Sequence, residues 1–385
     1  MSAPTPIYLD YNASTPIAPE VAKAMAPYLQ EAYGNPSAGH WAGGPAREAV
    51  EQARRQVARL IGAAPDEIVF TSGGSEANNH AIKGTWYATE GPFHIITTAV
   101  EHPATLVPCR FLESLGASLT VLPVDRYGQV NPDAVQAAIT PETRLISVMH
   151  ANNEVGTLQP VEAIGRIARD HGVRFHVDAA QSAGKVPINV QAMGVDLLSL
   201  AGHKFYGPKG IGALYVRRGI DLTPLIHGAG HEGGRRAGTE SALLATGLGT
   251  AAEKARDLSP MARVQALRDR LWTGLKGHFG DTLCLNGHPQ ARLPNTLNVA
   301  FADCVGAAIL DRLDGVAAST GSACHAGSVT LSPVLAAMGV PERVGMGALR
   351  FSLGRWTTEQ EIDEVIARLA RAVPQARAAT TQEPS

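Results

Sequence analysis

Two charged residues stand at the ends of apolar runs in the middle of the chain. Asp178 closes Phe175-His176-Val177, and Lys204 follows Leu197-Leu198-Ser199-Leu200 through Ala201-Gly202-His203. An acid leaving a buried strand is either a helix cap or a counter-ion. With a lysine at another strand end it suits a pyridine cofactor, since the carboxylate keeps a ring nitrogen protonated and the lysine forms an imine. The lysines are Lys23, Lys83, Lys185, Lys204, Lys209, Lys254 and Lys276. Lys204 stands out for its place at a strand end beside His203 and glycine, whereas Lys23 and Lys254 read as solvated surface. Desolvation of an imine-forming lysine lowers its pKa and frees the amine.

Other segments add to this chemistry. Thr71-Ser72-Gly73-Gly74-Ser75-Glu76 follows a strand and opens a helix, so backbone N–H groups and the Ser75 hydroxyl could converge on a phosphate; the plain alternative is a glycine turn with a Ser/Glu helix start. His102 has a side chain suited to stacking on a planar ring and to proton transfer, or else to structural hydrogen bonding. Asn153 and Gln181 are neutral groups able to bond a ring oxygen. Arg350, in Leu349-Arg350-Phe351, suits a bidentate grip on a carboxylate. Cys324 lies in Ser319-Thr320-Gly321-Ser322-Ala323-Cys324-His325-Ala326-Gly327-Ser328, a small-residue run expected to be a mobile loop with a reactive thiol beside His325. Cys109, Cys284 and Cys304 sit among apolar neighbours and read as packing.

The elements that must position these groups follow from periodicity. Apolar residues from Ala46 to Ile61 form one stripe of a helix. Strands are expected at Ile68 to Phe70, Ile95 to Val100, Leu119 to Val124, Leu145 to Met149, Phe175 to Val177, Leu197 to Leu200 and Ala213 to Val216. Alternation with helices argues a mostly parallel sheet, at whose carboxyl edge TSGGSEANN, EHPAT, HANNE, DAAQ and AGHK would gather. The chain of 385 residues, 45% hydrophobic, is long enough for a large domain and a smaller one. A net charge of −2 without basic stripes points away from nucleic acid. With no apolar span or leader pattern, a cytoplasmic protein without membrane contact is expected. Four scattered cysteines suggest reduced thiols and no metal site.

In order along nearly the whole chain, YLDYNASTP, GNPSAGH, TSGGSEANN, EHPAT, HANNEVGTLQP, HVDAAQSAGK, GHKFYGPKGIGALYVRRG, GHEGGRRAGTE, GSACHAGS and ALRFSLGR resemble the motifs of the cysteine desulfurases, class V members of the aminotransferase superfamily. The resemblance implies a homodimeric enzyme dependent on pyridoxal 5'-phosphate (PLP). The implied fold is α/β, PLP-dependent transferase fold type I (aspartate-aminotransferase-like), with a mostly parallel central sheet in the large domain and a smaller α+β domain. Residues 16–256 would form the first, residues 1–15 and 257–377 the second, and 378–385 a disordered tail.

By the same resemblance, Lys204 would form the imine and Asp178 would pair with the pyridine nitrogen. Gln181 would bond the phenolic oxygen, His102 would stack on the ring, and Asn153 would bound its edge. Gly74, Ser75 and His203 would hold the phosphate, Thr239 would reach the phosphate of the neighbouring subunit, and Arg350 would bind the substrate carboxylate. Lys204 or His102 would move the α-proton, and Cys324 would take sulfur from L-cysteine as a persulfide and pass it to an acceptor protein.

Two features depart from the desulfurase pattern. Ala201 stands where many desulfurases carry a phosphate-binding serine. Ala323-Cys324-His325, Ser332-Pro333-Val334-Leu335 and His203-Lys204-Phe205-Tyr206 look like selenocysteine lyases, so release of selenium from L-selenocysteine is the alternative. An inactive dimeric sulfur-relay scaffold is a third reading, one that predicts damage to the lysine or ring contacts.

Overall fold

The computed structural model describes the backbone of residues 6–320, 322–325 and 328–380, with the side chains of 322–325, 328, 329, 379 and 380 outside the description. All seven strands expected from the sequence form one sheet. With β1 at Ile7–Tyr8, they are β2 (Ile68–Thr71), β3 (His94–Thr98), β4 (Ser118–Leu122), β5 (Thr143–Met149), β6 (Arg174–Asp178), β7 (Leu197–Ala201) and β8 (Gly212–Val216), in the order β2-β8-β7-β6-β5-β3-β4. The pairs from β7 to β4 are parallel, and β8 alone runs against both of its neighbours. The carboxyl ends of β2, β3, β5, β6 and β7 therefore share one edge, where the polar segments emerge.

The helix Gly43–Ile61 starts three residues before the expected Ala46 and stops at Gly62, whose φ of 72° ends it in the left-handed region. Its small residues let the helix Ala242–Ala255 come close: a Cβ at Gly249 would lie 2.5 Å from the Ala53 Cα. Ile61, Val57, Phe175, Val177 and Leu248 belong to one continuous buried cluster.

A second sheet joins β9 (Leu283–Asn286), β10 (Thr296–Phe301), β12 (Ser319–Thr320) and β15 (Ala348–Ser352), antiparallel in the order β12-β15-β10-β9. The helices Pro260–Phe279 and Glu359–Thr380 contribute to its core, in which Ile7 and Leu9 bury beside Leu271, Phe301, Phe351 and Leu369. β1 pairs with β11 (Val316–Ala317), so Ile7 and Leu9 lie in this second core and the chain crosses to the central sheet through Asp10, Asn12 and Thr15. The final helix runs past Arg377 to Thr380. Among the described residues no helix is long and apolar enough to cross a membrane.

β8 lies between β2 and β7, and Gly212 there allows the backbone of the turn at Gly73 to close over it. A Cβ on Gly212 would meet the Leu200 carbonyl oxygen at 2.4 Å and the Gly73 carbonyl carbon at 2.7 Å. Gly212→Ala is expected to lower the thermal unfolding midpoint by several degrees, roughly 2 to 4 °C per kcal/mol for a domain of this size. Scanning calorimetry measures it.

Candidate active site

A cleft of ≈ 390 Å³ opens at the carboxyl edge of the central sheet, a size suited to a small cofactor. Gly74, Ser75, His102, Asn153, Asp178, Gln181, His203, Lys204 and Arg350 all line it. Thr239 does not: it is exposed on the segment after His231–Gly234. Cys324 lies on β13 (Ser322–His325), paired opposite Val329 of β14 (Ser328–Leu331). The expected loop is thus a short antiparallel hairpin on both flanks, while Gly321, Ala326, Gly327 and the Cys324 side chain lie outside the described residues.

The helix Gly74–Tyr87 begins at Gly73 with no side-chain cap, and Gly74 and Ser75 of its first turn line the cleft. Glu76 accepts the Ser72 N–H at 2.7 Å and pairs with Arg236 at 2.9 Å, tying the turn to the segment that carries Thr239. Ala201 is buried against this turn: a Cβ on Gly74 would sit 3.2 Å from the Ala201 Cβ. The position that lacks a hydroxyl therefore lies beside the expected phosphate cradle.

Asp178 caps no helix, since a turn follows β6; it holds that turn and faces the cleft. Its Oδ1 accepts the Ala180 N–H at 2.9 Å and its Oδ2 the Asn78 amide at 2.7 Å, which leaves further lone pairs for a donor in the cleft. His102 caps the helix Pro103–Glu113 by accepting the Ala104 N–H on Nδ1, so a neutral ring carries its hydrogen on Nε2. Burial lowers the His102 pKa against the pull of Asp178, and Lys204 lowers it further.

Lys204 donates to the carbonyl oxygens of Asn12 at 2.7 Å and Ala13 at 3.0 Å. Burial, reinforced by Arg350 and opposed by Asp178 and Asp10, brings its pKa down to about 8. His203 is lowered to about 4, first by burial and then by Lys204, Lys209 and Lys185. Arg350 donates through Nη2 to Asp10 at 2.7 Å and to Ser319 at 2.9 Å, and through Nη1 to the Asn153 carbonyl, also at 2.9 Å. Among the described residues its Nε is buried without a partner.

Three participants carried no role in the sequence reading. Asn78 and Asn12 lay within motifs but looked like ordinary polar residues. Lys185, buried at 8% exposure, donates to Asn12 Oδ1 at 3.1 Å and Gln181 Oε1 at 2.9 Å. The signal available was its spacing from Gln181, which puts the two side chains one helical turn apart. Cys109 and Cys304 are buried and Cys284 half-buried, and burial pushes the Cys109 thiol up to about 12, as suits packing.

The aminotransferase class V family model matches residues 7–365. The chain is 48% identical to "Cysteine desulfurase IscS" of Dictyoglomus turgidum over 96% of its own length and 95% of the relative's. It is 50% identical to "Cysteine desulfurase 2" of Trichormus variabilis over 97% and 94%. The chain belongs to the cysteine desulfurases of the class V aminotransferase family. Among solved structures, a "NIFS-LIKE PROTEIN" superposes with a TM-score of 0.91 at 36% identity, covering 96% of this chain and 100% of the other. "SspA in complex with cysteine" superposes with a TM-score of 0.82 at 41% identity, covering 91% and 100%.

This member of the family has the PLP-dependent fold type I expected from its sequence, and PLP is its cofactor. The cleft fits that group. The uncapped helix start suits a phosphate, Asp178 has acceptor capacity for a pyridinium N–H, and Lys204 is a half-buried amine of depressed basicity. Capture of PLP by cofactor-free protein should therefore speed up as pH rises to about 8 and level off above it, following the free Lys204 amine. The rise of visible absorbance after mixing reports it. A rate still climbing toward the ordinary lysine pKa of 10.5 would show that burial does not tune this amine.

Proposed function

We propose that the protein converts L-cysteine to L-alanine, storing the sulfur as a persulfide on Cys324 and passing it to an acceptor protein. The observation that carries this reading is the continuity between Arg350 and Cys324. Ser319 pairs with Arg350 across β12 and β15 and accepts its Nη2, and the chain runs on directly from β12 into the hairpin that bears Cys324. The group suited to a substrate carboxylate is thus held by Ser319, on the same short length of backbone that carries the nucleophile suited to the substrate side chain.

PLP held on Lys204 would supply an electron sink at the substrate α-carbon. Asp178, Gln181 and His102 would hold the ring, and the first turn of Gly74–Tyr87 with Ser75 and His203 would hold the phosphate. Arg350 binds the substrate carboxylate, exchanging part of its contact with Asp10 for it. The Lys204 amine, with a pKa near 8, is poised to take a proton at neutral pH, and His102 Nε2 is the second candidate for proton movement at the cleft. The Cys324 thiolate attacks the substrate sulfur. The Cβ–S bond breaks, its electron pair stays with carbon, protonation of that carbon yields alanine, and Cys324 is left as Cys–S–SH. An acceptor thiol then removes the outer sulfur and regenerates the Cys324 thiol. Thr239, exposed and joined through Arg236 and Glu76 to the phosphate turn, would serve the cleft of a second copy in a homodimer.

The relatives named for cysteine support sulfur over selenium as the element moved. Alanine release from L-cysteine and L-selenocysteine, measured side by side with a reductant, tests this. Turnover of cysteine is expected, with a fall of at least about a hundredfold in Cys324→Ala, the scale of losing a covalent nucleophile. Turnover of selenocysteine alone would contradict the proposal.

A further inference from the structure

Lys185 is a buried amine that does not itself line the cleft. It follows the turn after β6, and among the described residues no carboxylate pairs with it. Burial drives its pKa well below the ordinary lysine range, and the charged groups facing it, Lys204 and Arg350, push the same way. An apolar side chain of similar length would avoid that cost, so the amine's two contacts identify what its N–H groups do. Both are amide oxygens, Asn12 Oδ1 at 3.1 Å and Gln181 Oε1 at 2.9 Å. Among the described residues these two oxygens are the acceptors of its N–H groups.

The consequence falls on Gln181. Its oxygen is turned inward to Lys185, and one N–H of Nε2 goes to the Asn12 carbonyl at 2.9 Å. The second N–H remains for the cleft that Gln181 lines. Donation to an amide oxygen polarises the conjugated group and strengthens its N–H as a donor, as in any chain of hydrogen bonds at low dielectric. We propose that Lys185 is a positioning residue that fixes and polarises Gln181, and so tunes the basicity of the cofactor's ring oxygen without touching it. The inference rests on the assignment of Gln181 to that oxygen.

The test reads the bound cofactor's spectrum and needs no turnover. The midpoint pH of its visible absorbance change is measured for native protein, Gln181→Leu, Lys185→Met and the double variant. A donor to the ring oxygen favours its ionised form, so losing the donor raises the midpoint. Each single variant is expected to raise it by about half a unit to one unit, and the double variant no more than Gln181→Leu alone. Should Lys185→Met fail to fold, Lys185→Leu, which also lacks a donor, is read the same way. An unchanged midpoint on replacing Lys185, or a shift that adds in full to that of Gln181→Leu, would overturn the inference. A native midpoint in Gln181→Leu would overturn the assignment of Gln181 and the inference with it, and so separates the two failures.

Discussion

The Asn12 carbonyl oxygen accepts hydrogen bonds from Lys204 at 2.7 Å and from Gln181 at 2.9 Å. The Asn12 side chain accepts from Lys185 and from Asn295, and donates to Thr296 and to the Asn153 carbonyl. Its own N–H donates to Ser352 on β15. One buried residue thus joins Lys204 and Gln181, at the edge of the central sheet, to β10 and β15 of the second sheet, which carries Arg350. A misplaced group in a low-dielectric cleft is costly, and this node lets two separately packed cores present their groups to one volume.

Positive charge is restrained throughout the cleft. Burial and neighbouring cations lower the basicity of Lys204, Lys185 and His203, while Asp178 and Asp10 keep Lys204 from falling further. Behind the site, Glu101 is buried with its pKa raised to about 8, and its Oε1 receives Thr98 and the Met149 N–H. Asp178 and Asp10 are therefore the acids that face the amine, and Glu101 adds little negative charge at neutral pH. A lysine freed of its proton close to neutrality is what imine exchange and proton abstraction both require.

Much of this was legible in the sequence because it rests on local pattern. Runs such as Leu145 to Met149 are apolar on both faces, as in a buried parallel strand, and each ends where polar residues begin. The strand-end positions of Asp178 and Lys204 followed from that. Asn12 was hidden because its partners lie far away along the chain, at Gln181, Lys204, Asn295 and Ser352, and no spacing encodes such convergence. Lys185 was hidden for a different reason: burial gives a lysine its meaning, and the small residues around it in QSAGK suggest a turn. For Cys324, composition suggested a loop where the flanking backbone pairs as β13 and β14. Thr239 lies away from the cleft of its own chain, a placement that only the tertiary structure reveals.

Replacing the shared node tests the account most directly. In Asn12→Ala the backbone carbonyl remains, but the contacts to Lys185, Asn295, Thr296 and Asn153 are lost. The account expects the equilibrium dissociation constant for PLP, measured by absorbance titration of cofactor-free protein, to rise by about tenfold or more, the scale of one or two buried hydrogen bonds. A folded Asn12→Ala variant that bound PLP as tightly as the native protein would contradict it.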